Sequence, residues 1–114
     1  MKQTELRLDD GTTLALDEKG YLLDAGSWTP RVAECMALLD GIVLTAEHWG
    51  ILHIFREYFS RYEIEPPMRA LVRQAKEQFG EAKGSSRYLY QLFPQGPGIQ
   101  ACRYAGLPRP LSCI

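Results

Sequence analysis

The residues with the greatest chemical reach in this 114-residue chain are two cysteines near its C-terminus, Cys102 and the penultimate Cys113. A thiol one position from the end of a chain gains little from packing, because termini are the least restrained part of most domains. Such a position presents the sulfur rather than burying it. Cys113 stands eleven positions after Cys102, and at about 3.3–3.6 Å per extended residue its tip could sweep roughly 35 Å. An arm of that length can enter another protein's cleft or fold back onto its own domain. Folded back, two thiols can join once their Cα atoms come within about 7 Å. They would then act as an attacking and resolving pair, one accepting sulfur as a persulfide or mixed disulfide and the other releasing it. That chemistry calls for no metal and no organic cofactor.

Thiolate is the reactive form, and the neighbouring C-terminal carboxylate opposes it, so nearby positive charge is required. Arg109 and Arg103 lie on the arm and at its base, and Lys83 and Arg87 are further candidates. Residues 81–114 carry four cations against Glu81 alone, a net of +3, and the first eighty residues therefore carry −4 of the overall −1. A basic C-terminal third suits an anionic ligand or an acidic partner surface, although so few charges also fit an ordinary solvated face. Other polar residues invite simpler readings. His48 and His53 are five apart, about 140° around a helix, and so do not form a metal-binding pair. Glu47 beside His48 is explained by charge at a helix N-terminus, Trp28 and Trp49 by packing.

The elements that must position these residues can be read from periodicity. Thr4–Leu8 and Thr12–Leu16 alternate around the turn signal Asp10-Gly11, which predicts a β-hairpin, with a third short strand at Tyr21-Leu22-Leu23. Thr29-Pro30 opens a first helix that runs to Asp40 and stops at Gly41. Its apolar residues Val32, Cys35, Met36 and Leu39 share one face, which makes Cys35 a core residue. The longest helix spans Ala46–Tyr62, with Ile51, Phe55, Tyr58, Phe59 and Tyr62 along one side. Pro66-Pro67 opens a third helix over Met68–Phe79, capped by Gly80. A short helix is expected within 85–93 and one or two helical turns over Ile99–Tyr104. Gly106 would take up a bend and free the residues after it, since Pro108 and Pro110 lack amide donors. The organisation expected is one mainly helical α+β domain over 1–104 and a mobile C-terminal arm over 105–114.

Three cysteines at wide spacings fit neither a secreted disulfide framework nor a CxxC zinc site. The N-terminus lacks the apolar stretch and cleavage site of a secretory signal, and no segment reaches the roughly 18 apolar residues of a membrane span. The expectation is a cytoplasmic monomer that works with protein partners, with no membrane insertion.

The run Lys83-Gly84-Ser85-Ser86-Arg87-Tyr88-Leu89-Tyr90-Gln91-Leu92-Phe93-Pro94-Gln95-Gly96-Pro97 is followed by Gln100-Ala101-Cys102-Arg103 and by Ala105-Gly106-Leu107-Pro108-Arg109-Pro110, up to Cys113. Together these resemble the C-terminal signature of the DsrC/TusE sulfur-relay proteins. Gly20-Tyr21-Leu22, Leu44-Thr45-Ala46-Glu47-His48-Trp49 and Phe55-Arg56-Glu57-Tyr58 are similar to the same family, so the likeness covers nearly the whole chain. It implies a small β element on a helical bundle with a helix-turn-helix-like portion, and an arm bearing the sulfur-carrying cysteine at Cys113. The DsrC branch keeps a second cysteine where Cys102 stands and docks its arm into dissimilatory sulfite reductase. The TusE branch usually lacks it and passes sulfur along a relay that thiolates the wobble uridine of certain tRNAs. Cys102 points to the first branch, whereas Pro110-Leu111-Ser112 departs from the Pro-Thr-Gly common there.

Two other readings compete. Helices 46–62 and 67–79, with Arg69, Arg73 and Lys76 outward, could form a nucleic-acid-binding helix-turn-helix. A net charge of −1 lacks the basic field that phosphate binding needs, and this reading leaves Cys113 unexplained. A thiol peroxidase or disulfide reductase would also use two cysteines, but without a CxxC to support it.

Overall fold

The computed structural model describes residues 5–109. Two short antiparallel strands, β1 (Glu5–Arg7) and β2 (Thr13–Ala15), pair Leu6 with Leu14 across the turn at Gly11. Leu22 forms one isolated bridge to Leu16 and no strand. The expected third strand is cut short because Asp17 folds the chain locally, its carboxylate accepting from the amides of Lys19 and Tyr21.

Five helices follow: α1 (Pro30–Leu39), α2 (Ala46–Tyr62), α3 (Met68–Phe79), α4 (Ser86–Leu92) and α5 (Pro97–Tyr104). Their starts are written in the sequence. Thr29, Thr45 and Ser85 each accept a hydrogen bond from a first-turn amide, which satisfies donors that a helix cannot pair itself. At α2 the cap is reciprocal: the Thr45 amide donates to His48 Nδ1 at 3.1 Å. That leaves Nε2 carrying the hydrogen donated to the Leu92 carbonyl at 3.0 Å. His48 therefore ties α2 to the end of α4, with both ring nitrogens engaged.

The core gathers Val32, Ala33 and Met36 of α1, Ile51, Leu52 and Phe55 of α2, Leu71 and Ala75 of α3, and Leu89 and Phe93. α5 packs against both α1 and α2 and contributes Ala101, Cys102 and Tyr104, each fully buried. Two features depart from the periodicity. The aromatic face of α2 is central only in its first part, since Tyr62 is exposed and meets Tyr58 as a tilted pair with ring centres 4.5 Å apart. Cys35 is only partly buried, packed against the core rather than in it.

Beyond residue 104, where the sequence suggests the arm begins, the first residues are packed. Ala105 is wholly buried and Leu107 is 6% exposed, so the packed globule continues to Leu107. Burial of two apolar side chains just past a helix end outweighs the freedom that Gly106 and Pro108 suggest.

Candidate functional site at the root of the C-terminal arm

α5 ends in a Schellman motif. The Leu107 amide donates to the Cys102 carbonyl at 3.0 Å and the Gly106 amide to the Arg103 carbonyl at 3.1 Å, with Gly106 at φ +74°, the left-handed region that glycine enters without steric cost. The next two carbonyls are claimed from far away in sequence. Trp28 Nε1 donates to the Tyr104 carbonyl at 2.7 Å and Arg56 Nη1 to the Ala105 carbonyl at 2.6 Å. The Arg56 guanidinium lies 3.7 Å from the centre of the Trp28 ring, and burial pulls its pKa below the usual guanidinium value. The carbonyls of the last three helical residues, Cys102, Arg103 and Tyr104, and of the capping Ala105, which would otherwise lack partners, are thus all satisfied. Gly106, expected to loosen the chain, instead locks it: a Cβ there would come within 2.4 Å of Trp28 Cδ1.

Cys102 sits in the final turn of α5 with no solvent exposure. Cys113 and the rest of 110–114 lie outside the described residues. The described chain ends against the globule: Leu107, Pro108 and Arg109 line a cleft of about 110 Å³ with Phe59, Glu63, Ile64 and Glu65. Arg109 reaches Asp17 at 3.4 Å. Burial of Asp17 opposes its ionisation, but the Tyr21 and Lys19 amides and Arg109 outweigh that and hold its pKa below the usual range.

The cations expected to activate Cys113 are not gathered around one point. Lys83 pairs with Glu47 at 2.9 Å, at the start of α2. There Glu47, which also accepts from the Tyr88 hydroxyl at 2.6 Å, has its pKa lowered by Tyr88 first and Lys83 second. Arg87 is exposed on α4. Arg103 is bonded to Asp40, whose same oxygen accepts from the Tyr104 hydroxyl. Gln100 Nε2 donates to that hydroxyl at 3.1 Å, and Gln100 Oε1 accepts from the Gln95 amide at 2.8 Å. These groups run from α1 through α5 to the loop before it, a partly buried polar network of which only Arg103 was singled out in the sequence.

Burial, and then the Asp40 carboxylate, hold the Tyr104 pKa above the ordinary tyrosine range; burial and then Glu47 do the same for Tyr88. An unfolded tyrosine ionises near about pH 10, so the stability tied to these hydroxyls is complete below that pH and is lost as pH rises above it. Urea denaturation across the alkaline range should therefore show stability falling above about pH 10, with a shallower fall in Tyr104→Phe. An equal slope in that variant would remove Tyr104 from the explanation.

Trp28 and Arg56 are the functional residues that reading by element missed. Trp28 was read as packing, and the one sequence signal for Arg56 was that it falls within a segment resembling the family.

Fold and root together define a small, mainly helical α+β protein built to hold its C-terminal segment at a fixed point on its surface. A family model described as DsrC like protein matches residues 9–114. The sulfurtransferase TusE of Pectobacterium atrosepticum is 43% identical over 105 residues, covering 92% of this chain and 96% of that one. The solution structure of Allochromatium vinosum DsrC is 46% identical, with a TM-score of 0.84 and complete coverage of both chains. The oxidized gamma-subunit of the dissimilatory sulfite reductase (DsrC) from Archaeoglobus fulgidus is 42% identical, with a TM-score of 0.85 over 96% of this chain and 99% of that one. The chain belongs to the DsrC/TusE family of sulfur-relay proteins. Among the described residues no helix is long and apolar enough to cross a membrane.

Proposed function

We propose that the chain is a sulfur carrier that accepts sulfur as a persulfide on Cys113, with Cys102 as its resolving partner. The observation that supports this most is the fully capped root of the C-terminal segment. Counted from Leu107, the last core residue, the six residues to Cys113 can carry its backbone at most about 22 Å, well short of the reach expected from Cys102. A short lever from a fixed root delivers a thiol to one place on a docked partner, which lowers the cost of ordering it there.

The chemistry needs only thiols. The Cys113 thiolate attacks the outer sulfur of a donor persulfide, forming the Cys113 persulfide and releasing the donor thiolate. In the resolving step the Cys102 thiolate attacks the inner sulfur of that persulfide, which forms the Cys102–Cys113 disulfide and expels hydrosulfide. No outside oxidant is consumed. The partner on the DsrC-like reading is dissimilatory sulfite reductase; a chain of this fold, 29% identical with a TM-score of 0.79, occurs in the crystal structure of dissimilatory sulfite reductase I. A second reading, a TusE-like relay toward tRNA wobble 2-thiouridine, is favoured by the complete burial of Cys102. With that thiol shielded, the exchange would fall to Cys113, as a one-thiol relay requires.

Intact-mass spectrometry after incubation with a persulfide donor tests the proposal. Wild type and Cys102→Ala should gain one sulfur atom, and Cys113→Ala should gain none; the disulfide, with release of hydrosulfide, should need both cysteines. Sulfur retained undiminished by Cys113→Ala would identify the wrong thiol.

A further inference from the structure

We propose that two joined clefts beside the root of the C-terminal segment are the docking surface for the protein that exchanges sulfur with Cys113, and that this partner presents an apolar side chain from a positively charged surface. The inference rests on the carrier reading above and deepens it by giving the partner a place and a chemistry.

The smaller cleft is the one between Leu107–Arg109 and the turn that joins α2 to α3. A larger one, of about 280 Å³, lies between that turn and the start of α5, with Pro66, Met68, Tyr90, Gly96, Gly98 and Ile99 in its walls. Glu65 lines both, so the two meet at that residue. Apolar surface is concentrated here. Among the described residues nine large apolar side chains are more than a third exposed, and four of them border these clefts. Met68 and Tyr90 line the larger cleft, Ile64 lines the smaller, and Tyr62 precedes Glu63 at its edge. Exposed apolar residues gathered in this way mark contact sites, whereas single ones do not, and tyrosine and methionine are enriched where partners meet. The larger cleft is also open at its glycines, since a Cβ at Gly96 or Gly98 would meet no atom within 4 Å.

Charge narrows the kind of partner. Glu65 is the one charged residue that lines the larger cleft. In the smaller, Glu63 and Glu65 face Arg109 alone, and Arg109 is drawn to Asp17. The clefts are therefore acidic, and a complementary surface is positive. Position supplies the last argument. A sulfur exchanged with Cys113 must come within reach of its backbone, at most about 22 Å from Leu107. Leu107 walls the smaller cleft, so a partner seated there lies inside that reach. None of Leu107, Pro108 and Arg109 lines the larger cleft, which the described part of the segment does not enter.

Binding and sulfur loading, measured side by side, provide the test. Gly98 is the position to fill: it lies in the first turn of α5 without a left-handed φ, so Gly98→Gln should fold at least as well as wild type and place a long side chain in the cleft. Tyr90→Ala, which removes a ring already 50% exposed, is the second variant and carries the test should the first not fold. Calorimetric titration is made with dissimilatory sulfite reductase and with a tRNA-thiolation relay complex, the partners of the two readings. For whichever binds wild type, both variants should raise Kd about tenfold or more. Leu38→Ala, an exposed change on α1 that lines neither cleft, should leave it unchanged. Loading of Cys113 from glutathione persulfide, a donor too small to need docking, is the control and should be equal in all four chains. An unchanged Kd in Gly98→Gln and Tyr90→Ala would overturn the proposal, as would the absence of wild-type binding to either partner. A wild-type dimer that Gly98→Gln dissociates would assign the cleft to a second copy, and altered glutathione persulfide loading in Gly98→Gln would assign it to the C-terminal segment; either result overturns it too. Wild type failing to load from glutathione persulfide while still binding its partner through the clefts would instead sink the carrier reading and leave the docking surface standing.

Discussion

Replacing Asp40 with alanine is expected to destabilise the protein by about 3–5 kcal/mol, among the largest effects of any single polar substitution in the chain. Asp40 caps α1, and its carboxylate takes hydrogen bonds from both Arg103 and Tyr104 of α5. The side chains of Arg103 and Asp40 are only 15% and 14% exposed. Removing the carboxylate leaves a guanidinium with little water and without the carboxylate it is bonded to, and its buried Nε already lacks a hydrogen-bond partner among the described residues. The Tyr104 hydroxyl would keep only its contact with Gln100. The cost therefore comes from the charge left behind rather than from the worth of the pair. A double variant, Asp40→Leu with Arg103→Met, should recover most of the loss, because an apolar pair of similar volume carries no desolvation penalty. Urea unfolding of the two single variants and the double variant measures this directly. A single-variant loss below about 1 kcal/mol, typical of an exposed ion pair, would show that water reaches the site and that the network does not join α1 to α5 as described.

Gly106→Ala should be comparably damaging, for a different reason. At φ +74° an alanine costs about 1–2 kcal/mol through its backbone alone. Its Cβ would also meet Trp28 at Cδ1, Cγ and Cβ, at 2.4, 2.7 and 2.9 Å. The indole cannot yield at its own Cβ without shifting the backbone before α1, so its hydrogen bond to the Tyr104 carbonyl would move with it. A total loss of about 3 kcal/mol corresponds to a melting temperature lower by roughly 12–24 °C for a domain of this size. The same variant should expose Cys102 to alkylation more than its stability loss alone explains. A melting temperature within about 4 °C of wild type, the shift of a 1 kcal/mol change, would mean that the root tolerates a side chain and is not locked as the geometry indicates.

The reach of the two cysteines shows where reading by spacing stops. Counting from Cys102 treats everything after α5 as arm, and Pro108, Pro110 and Gly106 support that. What spacing cannot reveal is that Trp28 and Arg56, 76 and 49 residues away from the carbonyls they bind, convert the first part of that arm into a fixed root. Likewise, the four cations of the C-terminal third look like one basic field in the sequence. In space Lys83, Arg103 and Arg109 are drawn to Glu47, Asp40 and Asp17, each from the acidic first part of the chain.

By itself, then, the sequence determined the helices, because their caps, breaks and apolar periods act within a few residues: Thr29, Thr45 and Ser85 each bond an amide three residues on. It also determined the family, through a run of residues spread over nearly the whole chain, and it singled out two thiols. The tertiary structure alone decided that Cys102 is buried, that Ala105 and Leu107 belong to the core, and which carboxylate neutralises which cation. Those outcomes depend on groups that meet only after α1, α2 and α5 have packed, and partners brought together by packing leave no period in the sequence.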